Sequence, residues 1–143
     1  MILLDVNVLV RTFRQDVPGP DVSGWTHRVL VGAEPVGVAD LVLSSFLRLV
    51  TNHRIFPEPA PPELAVAFCD KLLSAPAAVA LAAGPRHWAV MRELVLGLGL
   101  RASDVPDAHL AALALERNAT LATLDRGFAR FPGLRLLDPT SGV

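Results

Sequence analysis

Apolar residues along this chain fall into two rhythms, short unbroken blocks and longer stretches in which they recur at helical spacing. The block Ile2-Leu3-Leu4 runs into Asp5 and predicts a strand and turn, followed by a helix carried by Val8, Leu9 and Phe13. Pro18, Gly19 and Pro20 break that helix, and Trp25, Val29 and Leu30 predict a second, which stops around Glu34-Pro35. Val36-Gly37-Val38 reads as a short strand. Asp40 is placed to cap a third and central helix with Leu43, Phe46, Leu47 and Val50 on one face. The Pro-rich run from Phe56 cannot continue it; Pro62 and Glu63 suit the first turn of a fourth helix reaching Leu73, with Leu64, Phe68 and Leu72 on its apolar face.

The second half repeats the alternation. Ala78 to Ala82 predicts a strand, and Gly84-Pro85 leads into a helix carrying Trp88, Met91, Leu94 and Val95, closed by Gly97 and Gly99. A helix from Ala108 to about Arg117 follows, with Asn118 as its C-terminal cap, then strands over Leu121–Leu124 and Leu134–Leu137. Strands alternating with helices predict an α/β fold with a parallel sheet covered on both faces.

Length and composition narrow this further. At 143 residues, 52% of them apolar, the chain has the material for one domain over 1–143, and it shows no repeat or long linker. Basic residues number 13 and acidic 14, a net charge of -1, which excludes a polybasic nucleic-acid binder and leaves any such partner to local charge. The longest apolar run, Ala77 to Ala83, is far short of the roughly 20 residues of a membrane span. The start lacks the basic region of a signal peptide, and the single cysteine, Cys69, permits neither a disulfide framework nor a four-cysteine zinc site and reads as a small core residue. The expected compartment is a reducing cytoplasm.

The candidate chemistry lies in carboxylates. Asp5 and Asp125 stand at the carboxyl ends of predicted strands, the edge where ligands bind in open parallel sheets. Asp107 opens a helix, and if that helix starts at the same edge the three acids meet. Such a cluster repels itself unless a cation is present, and Mg²⁺ or Mn²⁺ suits oxygen donors while keeping waters for hydrolysis. Singly, each acid has a plain alternative: Asp5 as a strand terminator, Asp107 as a first-turn carboxylate favoured by the helix dipole, Asp125 as a turn opener. Asp104 suits an N-cap, with metal ligation in reserve; Asn7 suits equally a cap or a group orienting a carboxylate or a water; Thr123 is placed to bond Asp5 or Asp125, or to serve as an ordinary strand residue.

Competing chemistries fail. A phosphoaspartyl enzyme needs a lysine at a strand end, and the only lysine, Lys71, lies in a predicted helix. Gly97-Leu-Gly99-Leu-Arg-Ala102 matches a dinucleotide fingerprint in letters but follows a helix where a strand is required. His27, His53, His87 and His109 lack paired zinc spacing.

Four segments together, Ile2-Leu-Leu-Asp5-Val-Asn7, Phe46-Leu-Arg48-Leu-Val-Thr51-Asn52, Asp107-Ala-His-Leu-Ala-Ala112 and Leu121-Ala-Thr123-Leu-Asp125-Arg-Gly-Phe128, resemble a PIN domain of the VapC type, the toxin ribonucleases of bacterial toxin-antitoxin pairs. The resemblance spans nearly the whole chain. It implies a three-layer α/β/α sandwich and cleavage of RNA by a metal-activated water, with Asp5, Asp107 and Asp125 as catalytic metal ligands and Asn7 and Thr123 in support. It further implies a small VapB-type antitoxin as partner, and homodimers are common in the family. Two positions depart from the pattern: Ser45 stands where a glutamate is usual, and Gly127 where many relatives carry another acid. Because an acidic pocket repels RNA, arginines are expected to rim it, as a group: Arg11, Arg14, Arg48, Arg126 and Arg130. The rival expectation is a catalytically weak PIN fold that serves as an RNA-binding or antitoxin-binding module, with Ser45 as its support.

Overall fold

The computed structural model describes residues 1–141. Its five strands are β1 (Ile2–Leu4), β2 (Val36–Ala39), β3 (Ala78–Leu81), β4 (Thr120–Ala122) and β5 (Arg135–Leu137). Its helices are α1 (Val6–Phe13), α2 (Ser23–Leu30), α3 (Asp40–Val50), α4 (Pro62–Leu73), α5 (His87–Leu98) and α6 (Asp104–Glu116), with a 3₁₀ turn over Arg126–Arg130. All strand pairs are parallel, in the order β3-β2-β1-β4-β5. The chain therefore moves outward from β1 through β2 to β3, then returns to the other side of β1 for β4 and β5. Right-handed crossovers place α1 to α4 on one face of the sheet and α5 and α6 on the other. The packing agrees, since α1 meets α2 and α3, α3 meets α4, and α5 lies along α6. This is the expected three-layer sandwich.

The middle of the sheet is sealed and its margins are open. Every residue of β1 and β2 is buried, whereas β3 and β5, at the two edges, expose Val79 and Leu136. In β2, Gly37 sits opposite Leu3, and a Cβ there would come within 2.5 Å of Leu81 Cδ1, so this strand position admits no side chain without repacking. On the first face Phe46 is fully buried and meets Phe13 and Phe68 with ring centroids 5.3 and 5.0 Å apart. On the second face α6 buries Leu110, Ala111, Ala112, Leu113 and Ala114 in succession. It is apolar nearly all round, as a buried helix must be, while α3 holds the expected central place on the first face, packed against α1, α4 and β2.

Several local expectations need correction. α6 begins at Asp104 and not at Ala108; Asp104 is its first residue and not its cap, and the preceding Ser103 makes no side-chain capping bond. Asp40 likewise lies inside the first turn of α3, accepting from the Leu41 amide at 2.7 Å. On α4, Leu64 is exposed, and the buried stripe is Ala65, Cys69 and Leu72 with Phe68 beside it. Of the two glycines expected to close α5, Gly97 lies inside the helix and Gly99 ends it at φ 62°, and Asn118 follows α6 at φ 51° as expected.

Candidate active site

The strand order reverses between β1 and β4, and the crevice beyond their carboxyl ends is where open α/β sheets place ligands. Asp5 leaves β1 there. Its backbone N–H bonds to Ala122 O of β4 at 3.0 Å, and its side chain caps α1, Oδ1 accepting from the Val6 N–H at 2.7 Å. Thus the acid is fixed by the strand behind it and the helix ahead of it.

The remaining oxygen of Asp5 is held by the two expected supports. Thr123 Oγ1 donates to Asp5 Oδ2 at 2.6 Å, and Asn7 Nδ2 donates to the same oxygen at 2.9 Å. Asn7 Nδ2 also reaches Thr123 Oγ1 at 3.1 Å, while Asn7 Oδ1 accepts from the Leu124 N–H. The Thr123 hydroxyl accepts in addition from the Asp125 N–H at 3.0 Å. One hydroxyl therefore ties together Asp5, Asn7 and the backbone that aims Asp125, and its donor and both acceptor positions are used. Asn7 serves as a carboxylate partner, and Asp5 is the cap.

The other acids approach from neighbouring elements. Asp107, in the first turn of α6, and Ser45 of α3 line one small pocket of about 50 Å³ with Asp5, beside Pro106 and Leu110. Asp125 caps the 3₁₀ turn, Oδ1 accepting from the Gly127 N–H at 2.8 Å. Burial pushes the Asp5 carboxyl up to about 6; its hydrogen bonds from Thr123 and Val6 oppose that shift, and the charges of Asp107 and Asp125 add to it. Asp107 is also raised, chiefly by burial, against the pull of Arg130. These mutual effects show that the three acids share one electrostatic neighbourhood.

Arg130 supplies the counter-charge. Its Nη2 lies 3.1 Å from Asp107 Oδ2 and 3.3 Å from Asp104 Oδ1, its Nη1 donates to Gly127 O at 2.7 Å, and its guanidinium rests over the Phe131 ring. The five arginines expected to rim the site separate accordingly. Arg48 and Arg126 are exposed. Arg11 is half-buried, with Nη1 3.5 Å from Val17 O. Arg14 is engaged internally, paired twice with Asp16, donating to Glu58 O at 2.7 Å and stacked on Phe56. Arg130 is exposed as well, but its guanidinium is paired with Asp104 and Asp107.

Among the described residues, no three His, Cys, Asp or Glu side chains form a ready metal cage. The donor set nevertheless fits a hard divalent cation. Asp5, Asp107 and Asp125 offer only oxygen, the donor type a hard divalent cation takes, and a bound cation would favour the charged form of Asp5 that burial disfavours. Water or a phosphate oxygen would complete the coordination.

One feature of the second face had no sequence signal. His87 of α5 is buried, its Nε2 2.9 Å from His109 O, and the two imidazoles lie 4.2 Å apart, leaving His109 Nδ1 buried without a partner. Burial and His87 lower the pKa of His109. The pairing joins residues far apart in the chain, and no spacing rule announces it.

Residues 2–134 match the PIN domain family. Across 143 residues the chain is 47% identical to ribonuclease VapC43 of Mycobacterium tuberculosis, covering 99% of this chain and 97% of the relative. It is 40% identical over 140 residues to ribonuclease VapC25 of the same organism, covering 97% and 99%. Among solved structures, the VapBC2 complex of Rickettsia felis bound to a promoter DNA fragment shares the fold with a TM-score of 0.72 at 23% identity, covering 96% of this chain and 98% of that one. VapBC-1 of nontypeable Haemophilus influenzae does so with a TM-score of 0.71 at 16% identity, covering 98% and 99%.

Proposed function

The chain belongs to the PIN-domain family, and from that membership we propose that it is an endoribonuclease, the toxin of a toxin-antitoxin pair, acting as one domain over 1–143 in the cytoplasm. The observation that carries the site assignment is the bonding of Asp5, Asn7, Thr123 and Asp125 into one unit at the strand-order reversal, with Asp107 entering from α6. Near full-length identity of 47% to a named ribonuclease supports the activity.

Asp5, Asp107 and Asp125 would hold the cation, Mg²⁺ or Mn²⁺. Bound there, it would acidify a water and offset charge on the phosphodiester in the transition state. The rest of the task falls to the chain itself. Thr123 and Asn7 donate to one oxygen of Asp5 and fix its orientation. Ser45 adds a neutral hydroxyl to the pocket and no charge, so metal affinity is expected to be modest. Arg48 and Arg126, both exposed, would hold RNA phosphates, with Arg11 in reserve. The partner is an antitoxin of the VapB type, and the active form is a homodimer. Among the described residues no helix is long and apolar enough to cross a membrane.

The direct test incubates purified, antitoxin-free protein with a mixed RNA pool under Mg²⁺, Mn²⁺ or EDTA, beside Asp5→Asn and Asp125→Asn. Cleavage by the wild type with metal, and by neither variant, is the expected result. Equal cleavage by all three would defeat the assignment.

A further inference from the structure

The cation already inside the acid cluster belongs to the chain. Arg130 Nη2 is shared between Asp107 Oδ2 at 3.1 Å and Asp104 Oδ1 at 3.3 Å, so one of the three carboxylates assigned to the metal is engaged by a guanidinium. The pose is braced on two further sides, by the bond from Nη1 to Gly127 O at 2.7 Å and by the Phe131 ring 4.7 Å from the guanidinium carbon. Gly127 is what admits it. A Cβ at that position would lie 2.9 Å from both Arg130 Nη1 and Asp125 Oδ1, so a side chain there would compete for the space the guanidinium fills. No other arginine among the described residues forms an ion pair with Asp5, Asp107 or Asp125.

We infer that Arg130 is a built-in competitor of the divalent cation: it occupies Asp107 in the metal-free protein and must leave that carboxylate before metal binds. This rests on the reading of Asp5, Asp107 and Asp125 as the metal-holding acids. A site whose ligand is engaged elsewhere in most molecules shows an affinity reduced by the fraction that is free. Arg130 therefore sets the metal concentration at which the protein becomes active. Once displaced, the same guanidinium, carried on the 3₁₀ turn, is available to a phosphate of bound RNA as a new partner. Metal and RNA binding then support each other, because each stabilises the arrangement in which Arg130 is away from Asp107.

The test uses Mn²⁺ alone and titration calorimetry on four full-length proteins, the wild type, Arg130→Gln, Arg126→Gln and Asp5→Asn. Arg126→Gln removes the same charge one residue from Asp125 but breaks no ion pair to the acids. The expected outcome is Mn²⁺ affinity about three- to tenfold higher in Arg130→Gln than in the wild type, in line with release of a partly exposed ion pair. The Mn²⁺-induced rise in thermal midpoint should grow in parallel. Arg126→Gln should change the affinity by less than half as much on a logarithmic scale, and Asp5→Asn should bind weakly. Unchanged or weaker binding by Arg130→Gln overturns the inference, as does an equal gain in Arg126→Gln, which would show net charge alone at work. Wild-type protein that binds no Mn²⁺, or binds it no better than Asp5→Asn, overturns the metal site and this inference with it.

Discussion

Asp5 is asked to do two things that conflict. It caps α1 and anchors the site, yet burial makes its charge costly, lifting its pKa from 3.8 to about 6. Because the folded protein holds that proton more tightly than the unfolded chain, the stabilisation is fully present below about 3.8 and is lost as pH rises through about 6. Asp5→Asn removes the charge but also weakens hydrogen bonds to a carboxylate. The net expectation for metal-free protein is a gain on the order of 1–2 kcal/mol at pH 8 that shrinks toward pH 4, accompanied by loss of RNA cleavage. Thermal melts across that pH range check it, and a variant less stable than the wild type at pH 8 would show that the bonds outweigh the burial. Thr123 is the complementary case, since Thr123→Val strips three bonds from one point. It should cost about 1–3 kcal/mol in urea unfolding and depress kcat, whereas Thr123→Ser should retain both.

At the scale of elements, what the chain disclosed before folding was periodicity, and periodicity carried the order of strands and helices nearly intact. The end signals Gly99 and Asn118 were equally legible, because a left-handed backbone favours few residue types. What was not legible were choices made by tertiary contacts. Leu64 and Ala65 are adjacent on α4, and it is the packing of that helix against α3 and β3 that turns Ala65 inward. Asp104 has the letters of a cap, but Arg130, arriving from a different element, takes its carboxylate. In the candidate site, the positions of Asp5, Asp107 and Asp125 were readable from strand ends and a helix start, whereas the pairing of Arg130 with Asp104 and Asp107 and the His87–His109 contact depend on folding. The aromatic trio around Phe46 gives this scale its own test. Phe46→Ala should cost about 3–5 kcal/mol, seen as a lower urea midpoint with an unchanged slope, because it opens a cavity where α1, α3 and α4 converge.

For the whole molecule, a net charge of -1 leaves the proposed RNA contacts to where the arginines sit and not to their number. Replacing Arg48 or Arg126 with Gln should weaken RNA binding uniformly across sequences and reduce its salt slope by about one. Arg14→Gln should instead lower stability and leave the slope unchanged, since that guanidinium secures the loop at Phe56 and Glu58. Fluorescence titrations at several salt concentrations separate the two behaviours. The open margins of the sheet carry a different liability. β5 has Arg135 along it, but Ala78–Leu81 of β3 holds no charge at all, and a strand edge without a charged gatekeeper is a template for another backbone. In concentrated solution, self-association should therefore begin at β3, two such margins joining into one continuous sheet without either molecule unfolding.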